Sequence, residues 1–306
     1  MRHELLVVSL PKPHGNIAGC WYNGYPIHKG LSEHSLNMAT LYAHQNGIIP
    51  DQQKLVAEYE YFIDTLKKNG FTLHVLPFPD ALNTEASLDH DAVFIRDAGL
   101  AYRQYWIKAR FSCKERAAEA DIFAPIIAEK FKKEIIELPK DAFLETGESI
   151  YVESREGTFY FGGIARSNKL GHEAVMDVIR PDHSVLVESE GYHLDTVLAP
   201  VISGDNTLKA LLVNESIINA ASLAELRKLG IELIPVDVGD SSGTASDLGT
   251  YAINMISAPG ILIGSSRFST PGIEELFEKW GISHIVTPLS YFRYAGGSAH
   301  CLTNEI

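Results

Sequence analysis

The chain is poor in cysteine, and this scarcity excludes two kinds of fold. Its 306 residues include three cysteines, Cys20, Cys113 and Cys301. An odd number with no Cys-x-x-Cys pair argues against both a disulfide framework and a zinc ribbon. A chain of this length buries a core large enough to fold without either support. No spaced set of metal-ligating residues stands out among its 12 histidines, so we expect no metal.

Long apolar runs and positive charge are also scarce. No run approaches the roughly 20 apolar residues that span a bilayer, and the apolar stretch in MRHELLVVSL is too short for a secretory signal. The formal net charge is −13, whereas nucleic-acid binding requires a basic face. No Gly-x-Gly-x-x-Gly segment is present, which disfavours a dinucleotide site. We therefore expect a cytoplasmic protein with neither a membrane nor a nucleic acid as partner.

Short apolar strands alternate with amphipathic helices along the chain, which indicates an α/β or α+β fold. No change in composition marks a linker, so residues 1–306 are taken as one domain. Strands are predicted at, among others, Ala92–Ile95, Leu100–Ile107 and Tyr251–Met255. Helices are predicted over Gln52–Lys68, Glu115–Lys130, Lys169–Ile179, Ala220–Leu229 and Gly272–Trp280.

The C-terminal segment contains a candidate nucleophile. Gly296 and Gly297 precede Cys301 and let the backbone turn sharply beside a ligand. Most free cysteines are buried and inert, so this segment alone predicts no more than a loop. A reactive thiolate needs a nearby base or a lowered pKa, which must come from elsewhere in the chain.

Three further segments carry the groups that such a cysteine needs. If the segment Gly-Tyr-His-Leu-Asp is extended, His193 and Asp195 share one face, where proton transfer and cation binding can act together. Asp97 follows an apolar strand, and Glu145 begins the segment Glu-Thr-Gly-Glu. Each segment alone is better explained by an ordinary turn or surface loop.

Together, the four segments resemble the guanidino-group-modifying enzyme superfamily, which includes arginine deiminases, dimethylargininases, agmatine deiminases and amidinotransferases. The order is that of the superfamily: Phe-x-x-Asp, Glu-x-Gly, His-x-Asp and a near-terminal Gly-Gly-x-x-x-Cys. The resemblance implies an α/β propeller of five pseudosymmetric ββαβ-type units, here a single catalytic domain. It implies catalytic roles for Cys301, His193 and Glu145. The substrate-binding residues that it implies are Asp97, Asp195, Asp91, Arg166 and Arg116.

The finer motifs divide between two branches of the superfamily. Asp-Ala-Val-Phe-Ile-Arg-Asp and Ala-Arg-Ser-Asn are similar to dimethylargininase segments, which matches Asp91 to the ligand of the substrate's α-amino group and Arg166 to a ligand of its carboxylate. Arg116 falls where a second carboxylate-binding arginine lies, with a solvated helix arginine as the alternative. His-Leu-Asp looks instead like the arginine deiminases and amidinotransferases, whose aspartate, here Asp195, is a second guanidinium ligand.

The resemblance therefore implies a cysteine-dependent hydrolase that converts free arginine, or an N-methylated arginine, into citrulline and ammonia or a methylamine through a covalent thiouronium. The alternatives are an amidinotransferase and an inactive relative that binds arginine or a protein partner. A small cationic guanidino compound is the expected partner, without a cofactor, and a homo-oligomer is left open. The Gly-rich segment His14–Gly19 is predicted to begin a mobile lid over residues 12–30, with a fixed loop as the alternative.

Overall fold

The structure is a computed structural model that describes residues 4–11, 38–48, 51–84, 87–113, 116–244 and 246–306. The predicted lid at residues 12–30 lies outside this set. None of the helices within it is both long enough and apolar enough to cross a bilayer.

The described residues form six α-helices and seventeen strands, numbered in chain order. The helices are α1 (Met38–Gln45), α2 (Gln52–Lys68), α3 (Ala117–Phe131), α4 (Lys169–Ile179), α5 (Ala220–Lys228) and α6 (Ile273–Lys279). The strands are β1 (Glu4–Val8), β2 (Thr72–Leu76), β3 (Asn83–Thr84), β4 (Ser87–Leu88), β5 (Gly99–Tyr102), β6 (Tyr105–Lys108), β7 (Glu134–Ile136), β8 (Ser149–Ser154), β9 (Gly157–Gly163), β10 (His183–Val187), β11 (Leu198–Ile202), β12 (Leu208–Val213), β13 (Glu232–Pro235), β14 (Ile256–Ala258), β15 (Ile261–Gly264), β16 (Ser283–Val286) and β17 (Asn304–Glu305).

Four three-stranded sheets repeat one pattern of connections. In each, two antiparallel strands are followed by a helix and by a third strand that pairs parallel with the second. A crossover of this kind is required because parallel neighbours cannot be joined by a tight turn. The four units are β5–β6–α3–β7, β8–β9–α4–β10, β11–β12–α5–β13 and β14–β15–α6–β16.

The fifth unit joins the two ends of the chain. Strand β17 pairs antiparallel with β1, placing Glu305 opposite Leu5, and α2 then leads to β2, which pairs parallel with β1. The C-terminal strand thus completes the same ββαβ order as in the other units. Five such units make an α/β propeller, which confirms the predicted fold class.

Local sequence signals set several helix boundaries. Asp51 caps α2 by accepting a hydrogen bond from the backbone N–H of Gln53, and Asn168 and Asn219 cap α4 and α5 in the same manner. Helices α2 and α4 have the predicted bounds. One face of α2 packs with β1 in a continuous apolar cluster. The apolar periodicity and the N-cap therefore both predict this helix correctly.

The strand predicted at Ala92–Ile95 is wrong. The chain there forms two short 3-10 helices, His90–Val93 and Ile95–Ala98, and all of their residues are buried. A short apolar run does not distinguish a strand from a buried turn, because both place apolar side chains in the core. Asp97 consequently lies in a turn two residues before β5, rather than at the end of a strand.

Two other strand predictions also change. Leu100–Ile107 is a hairpin of β5 and β6, because the chain reverses at Arg103, which has a φ of 51°. Tyr251–Met255 is a turn that leads into β14, and Tyr251 has a φ of 57°. Positive φ is uncommon for residues such as arginine and tyrosine, so the local sequence does not predict either turn.

Candidate active site

All four predicted motifs lie in turns that lead into the first strand of a propeller unit. The residues and the strands that follow them are Asp97 (β5), Glu145 (β8), His193 and Asp195 (β11), and Cys301 (β17). The remaining unit contributes Asn254, two residues before β14, which the sequence did not single out.

Hydrogen bonds join each of these five turns to the next and close a ring. They run from Arg96 N to Cys301 O (3.2 Å), Gly147 N to Asp97 Oδ1 (3.2 Å), His193 Nε2 to Glu145 Oε2 (2.9 Å), Asn254 Nδ2 to Asp195 O (3.1 Å) and Cys301 N to Asn254 Oδ1 (3.3 Å). The functional side chains in the ring are all buried. The pseudosymmetry of the fold therefore brings residues from five distant segments into one polar centre.

Cys301 lies between an acceptor and a donor. Its Sγ donates to Asp195 Oδ2 at 3.3 Å and accepts from Asn254 Nδ2 at 3.1 Å. Burial, followed by the charges of Asp195 and Asp97, raises the pKa of the Cys301 thiol well above its ordinary value. This environment therefore favours the Cys301 thiol over the thiolate.

His193 is held between two carboxylates. Its Nε2 lies 2.9 Å from Glu145 Oε2, and its Nδ1 lies 3.4 Å from Asp97 Oδ1. Burial alone would lower the pKa of His193, but Asp97 and Glu145 outweigh it and raise the pKa to about 9. The imidazole is thus cationic at neutral pH and has a proton to donate.

Glu145 is the anchor of this histidine. Its Oε1 accepts from the backbone N–H of Ser112 at 3.0 Å and from the Ser112 hydroxyl at 2.8 Å, while Arg166 Nε lies 3.2 Å from its Oε2. Burial would raise the pKa of Glu145, but His193 and Arg166 lower it to about 2. The carboxylate therefore stays charged, and it fixes both the orientation and the charge of His193.

Two glycines leave room for the functional side chains. A Cβ on Gly147 would lie 2.6 Å from Asp97 Oδ1 and 2.7 Å from His193 Nδ1. A Cβ on Gly297 would lie 2.5 Å from the ring of Phe94. Both distances are too short for real contacts, so the glycines of the Glu-x-Gly and Gly-Gly motifs serve close packing at this centre.

Arg116 is neither solvated nor free. Its Nη1 lies 2.7 Å from Asp97 Oδ2, its Nη2 lies 2.8 Å from Glu119 Oε2, and its guanidinium lies 4.9 Å from the centroid of the Phe111 ring. A buried arginine paired in this way fixes the plane of the carboxylate that it contacts. Arg116 therefore supports the position of Asp97.

Asp195 is shared between a thiol and a histidine. Its Oδ2 also accepts from His300 Nδ1 at 2.7 Å, and its Oδ1 has no partner among the described residues. Burial would raise the pKa of Asp195, but the bond from His300 helps to bring it below its ordinary value. Glu148 holds the preceding backbone, because its Oε2 accepts from the N–H of Leu194 at 3.2 Å.

A narrow cavity reaches the Cys301 side chain. The titratable residues in its lining are Asp91, Asp97, Arg116, Tyr192, His193 and Cys301. Asp91 Oδ1 has no partner among the described residues, and burial raises the pKa of Asp91 to about 6. Asp195 and His300 border a separate, larger cavity, whose lining does not include Cys301.

Arg166, like Glu145, lies outside both cavity linings. Its guanidinium carbon lies 4.6 Å from the centroid of the Tyr192 ring, which does line the smaller cavity. Its Nη2 has no hydrogen-bond partner among the described residues. A movement of Tyr192 would be needed for Arg166 to meet a ligand in the cavity.

Solved structures share this architecture. The N-terminal domain of ArgZ, a cyanobacterial arginine dihydrolase solved with its substrate, superposes with a TM-score of 0.75 at 23% identity, covering 99% of this chain and 97% of that domain. DDAH from Pseudomonas aeruginosa, solved with citrulline, gives a TM-score of 0.70 at 16% identity over the full length of both chains. At these identities the likeness shows the fold.

A curated sequence relative adds to the likeness. AgrE of Nostoc sp., a bifunctional arginine dihydrolase/ornithine cyclodeaminase, is 27% identical over 224 residues. The chain is thus similar, in sequence and in fold, to enzymes that act on the guanidino group of arginine. The match covers 71% of this chain and 29% of AgrE, so the chain spans less than a third of that relative's length. No family model matches the chain.

Sequence reasoning missed two polar members of this candidate site. His300 stands beside Cys301 in the motif, but nothing in the sequence indicates that it reaches Asp195. Asn254 lies in the segment that was predicted as a strand. If β14 had been placed correctly, Asn254 would have been found by comparing the turns that precede the first strand of each unit. Among the described residues, no group of three or more His, Cys, Asp or Glu is arranged to hold a metal.

Proposed function

We propose that this chain is a cysteine-dependent hydrolase that removes one nitrogen from the guanidino group of free arginine or an N-methylated arginine. One observation carries the proposal: Cys301 borders a narrow cavity together with a cationic His193 that is held between Asp97 and Glu145. A guanidinium is planar and cationic, and carboxylates pair with it in a fork-like geometry. The site therefore suits this cation and has a nucleophile and an acid beside it.

The carboxylates near Cys301 would seat the substrate. Asp97 and Asp195 would fix the guanidinium plane so that its carbon faces Sγ, and the unpartnered Oδ1 of Asp195 supports this role. Asp91 would bind the α-ammonium through its unpartnered Oδ1. Arg166 would bind the α-carboxylate through its unpartnered Nη2 once Tyr192 moves aside.

Arg116 fits a supporting role better than that of a second carboxylate ligand. All three of its guanidinium nitrogens already pair with Asp97 or Glu119, and all three side chains are buried. Breaking a buried pair is costly because it leaves an uncompensated charge. We therefore assign Arg116 to the positioning of Asp97.

The reaction would proceed in two halves. The Cys301 thiol loses its proton to solvent as the substrate binds, and the thiolate Sγ attacks the guanidinium carbon. His193 donates a proton to the departing nitrogen, and the C–N bond breaks to release ammonia or a methylamine. An S-alkylthiouronium remains on Cys301. His193 then takes a proton from water as the water oxygen bonds to the same carbon, and the C–S bond breaks to release citrulline and the thiolate.

The substrate itself would activate the nucleophile. In the free protein, burial and two carboxylates keep the pKa of Cys301 high. A guanidinium between Asp97 and Asp195 offsets both negative charges and adds a cation beside Sγ, which lowers the thiol pKa. The nucleophile would then form where substrate is bound, and not in the empty site.

Arginine is the favoured substrate. Dimethylation removes both N–H donors from one guanidinium nitrogen and would leave an acceptor of Asp195 unpaired, at a cost of about 1–3 kcal/mol. AgrE and ArgZ are both named as arginine dihydrolases, and ArgZ has been solved with its substrate. The Asp91 and Arg166 motifs, by contrast, are those that resemble dimethylargininases.

The names of these relatives favour a second candidate activity, in which two hydrolyses occur in succession. Citrulline would then react with a second water and give ornithine, carbon dioxide and a second ammonia. One ammonia per arginine supports the single hydrolysis, and two support the double one. In either case we propose a single catalytic domain over residues 1–306, without a cofactor and in a cytoplasmic setting.

A product assay tests the proposal. The protein is incubated separately with arginine, monomethylarginine, dimethylarginine and agmatine, and citrulline, ornithine, other ureido products and ammonia are quantified. We expect product from arginine that is lost in Cys301→Ser. Amidino transfer to an added amine, without ammonia release in its absence, would favour the amidinotransferase. No product under either condition would favour a binding protein.

A further inference from the structure

Asn254 makes an unusual set of contacts with the nucleophile. Its Oδ1 accepts from the backbone N–H of Cys301 at 3.3 Å, and its Nδ2 lies 3.1 Å from the Cys301 Sγ and 3.1 Å from the carbonyl oxygen of Asp195. The side chain is fully buried. A single amide therefore bridges the turn that carries the guanidinium ligand and the turn that carries the sulfur.

The orientation of this amide is fixed by its partners. The Cys301 N–H can only donate, so it must face Oδ1, and the Asp195 carbonyl can only accept, so it must face Nδ2. In a flipped amide, Nδ2 would face the N–H of Cys301, donor against donor, and Oδ1 would face the carbonyl of Asp195, acceptor against acceptor. The group directed at Sγ is consequently an N–H donor and not an oxygen.

We propose that Asn254 is a catalytic residue of the hydrolase, in which its side-chain N–H stabilises the Cys301 thiolate both when it attacks and when it is expelled. The inference rests on the proposed function. In the thiol form, Sγ donates to Asp195 Oδ2, but a thiolate loses that bond and is repelled by the carboxylate. The bond from Nδ2 becomes charge-assisted at the same moment, because an N–H binds an anionic sulfur more strongly than a neutral one. Asn254 thus acts where the charge develops.

The position of Asn254 separates this role from substrate binding. Both polar atoms of its side chain are engaged by Cys301 and by the backbone carbonyl of Asp195, so neither is left to bind substrate. A change at Asn254 should therefore affect kcat and the reactivity of the sulfur while leaving the KM for arginine nearly unchanged.

The test compares Asn254→Asp with Asn214→Asp. Asn214 is also fully buried, but its Oδ1 bonds within its own turn, to Ser216. The rate of alkylation of Cys301 by iodoacetamide is measured against pH, with the labelled peptide identified by mass spectrometry. We expect Asn254→Asp to shift this profile toward alkaline pH by about one unit or more and to lower kcat about 100-fold, with the KM for arginine within about threefold of wild type. Asn214→Asp should alter neither.

Asn254→Ser provides a second variant if the aspartate does not fold. It adds no charge, and its side chain is too short to span both turns, so the alkylation profile should again move toward alkaline pH. A profile that coincides with wild type in a folded variant would overturn the inference, even if kcat fell. Because alkylation needs no turnover, the outcome does not depend on whether the chain hydrolyses arginine.

Discussion

His193 Nε2 lies 2.9 Å from Glu145 Oε2, and neither side chain is more than 3% exposed. The two groups shift each other's pKa in opposite directions, to about 9 for His193 and about 2 for Glu145. Both are therefore charged at neutral pH inside a buried centre. In the proposed reaction, the pair would keep a proton in place for the departing nitrogen while Glu145 holds the ring in one orientation.

Glu145→Gln should separate the orientation of His193 from its charge. The amide can still occupy the space and accept from Ser112, but it supplies no negative charge, so the pKa of His193 should fall toward its ordinary value. We expect kcat to fall about 100-fold and its alkaline limb to move to lower pH. Kinetics across pH and NMR titration of the imidazole check this, with Glu232→Gln, on the exposed face of β13, as the control. An unchanged His193 titration would contradict the assigned role of Glu145.

The raised pKa of His193 also predicts how stability depends on pH. Its folded-state value of about 9 exceeds the ordinary 6.5, so the stabilisation is complete below about pH 6.5 and is lost as the pH rises through about 9. The contribution is on the order of 3 kcal/mol, since one pKa unit corresponds to about 1.4 kcal/mol.

Denaturant unfolding of wild type and His193→Gln checks this dependence. The difference in free energy of unfolding should be large near about pH 6 and should shrink by about pH 10, where the wild-type imidazole is neutral. His183→Gln, at an exposed position at the start of β10, controls for the loss of a histidine. A difference that does not change with pH would show that the pKa of His193 is not raised.

Gly147→Ala should disable the site without unfolding the protein. The new Cβ would meet Asp97 Oδ1 and His193 Nδ1 at less than 3 Å, so the two side chains must move apart. A displacement of about 1 Å at a reacting centre can cost about 100-fold in rate. Gly239→Ala is a matched control, because a Cβ there meets nothing within 4 Å. Equal activity of the two variants would mean that the spacing of Asp97 and His193 does not limit the reaction.

The residues that meet at the candidate site were more predictable than the geometry that joins them. Ordered motifs pointed to Asp97, Glu145, His193 and Cys301, because the chemistry fixes the residue types and the fold fixes their order. The strands that would have revealed the five-fold repeat are short, and two of the turns before them were taken for strands. Asn254 was lost in this way, since a strand at Tyr251–Met255 hides its equivalence to the other four turns.

The sequence also did not predict which charged residues pair when they lie far apart in the chain. Arg116 was assigned to a substrate carboxylate by its place in the chain, whereas its buried partners are Asp97 and Glu119. Glu119 is three residues away on the same helix, which periodicity alone would allow. Asp97 lies 19 positions earlier in the chain, and it reaches Arg116 only because α3 packs near the turn that contains Asp97. That packing arises when the chain folds and cannot be predicted from the local sequence.

Trapping the covalent intermediate tests the central claim most directly. Wild-type protein is mixed with arginine, quenched in acid at successive short times and analysed by intact-protein and peptide mass spectrometry. The account predicts a transient adduct with the mass of arginine less ammonia, located on Cys301 and absent in Cys301→Ser. Citrulline or ornithine formation without such an adduct at any time, together with activity retained in Cys301→Ser, would contradict it.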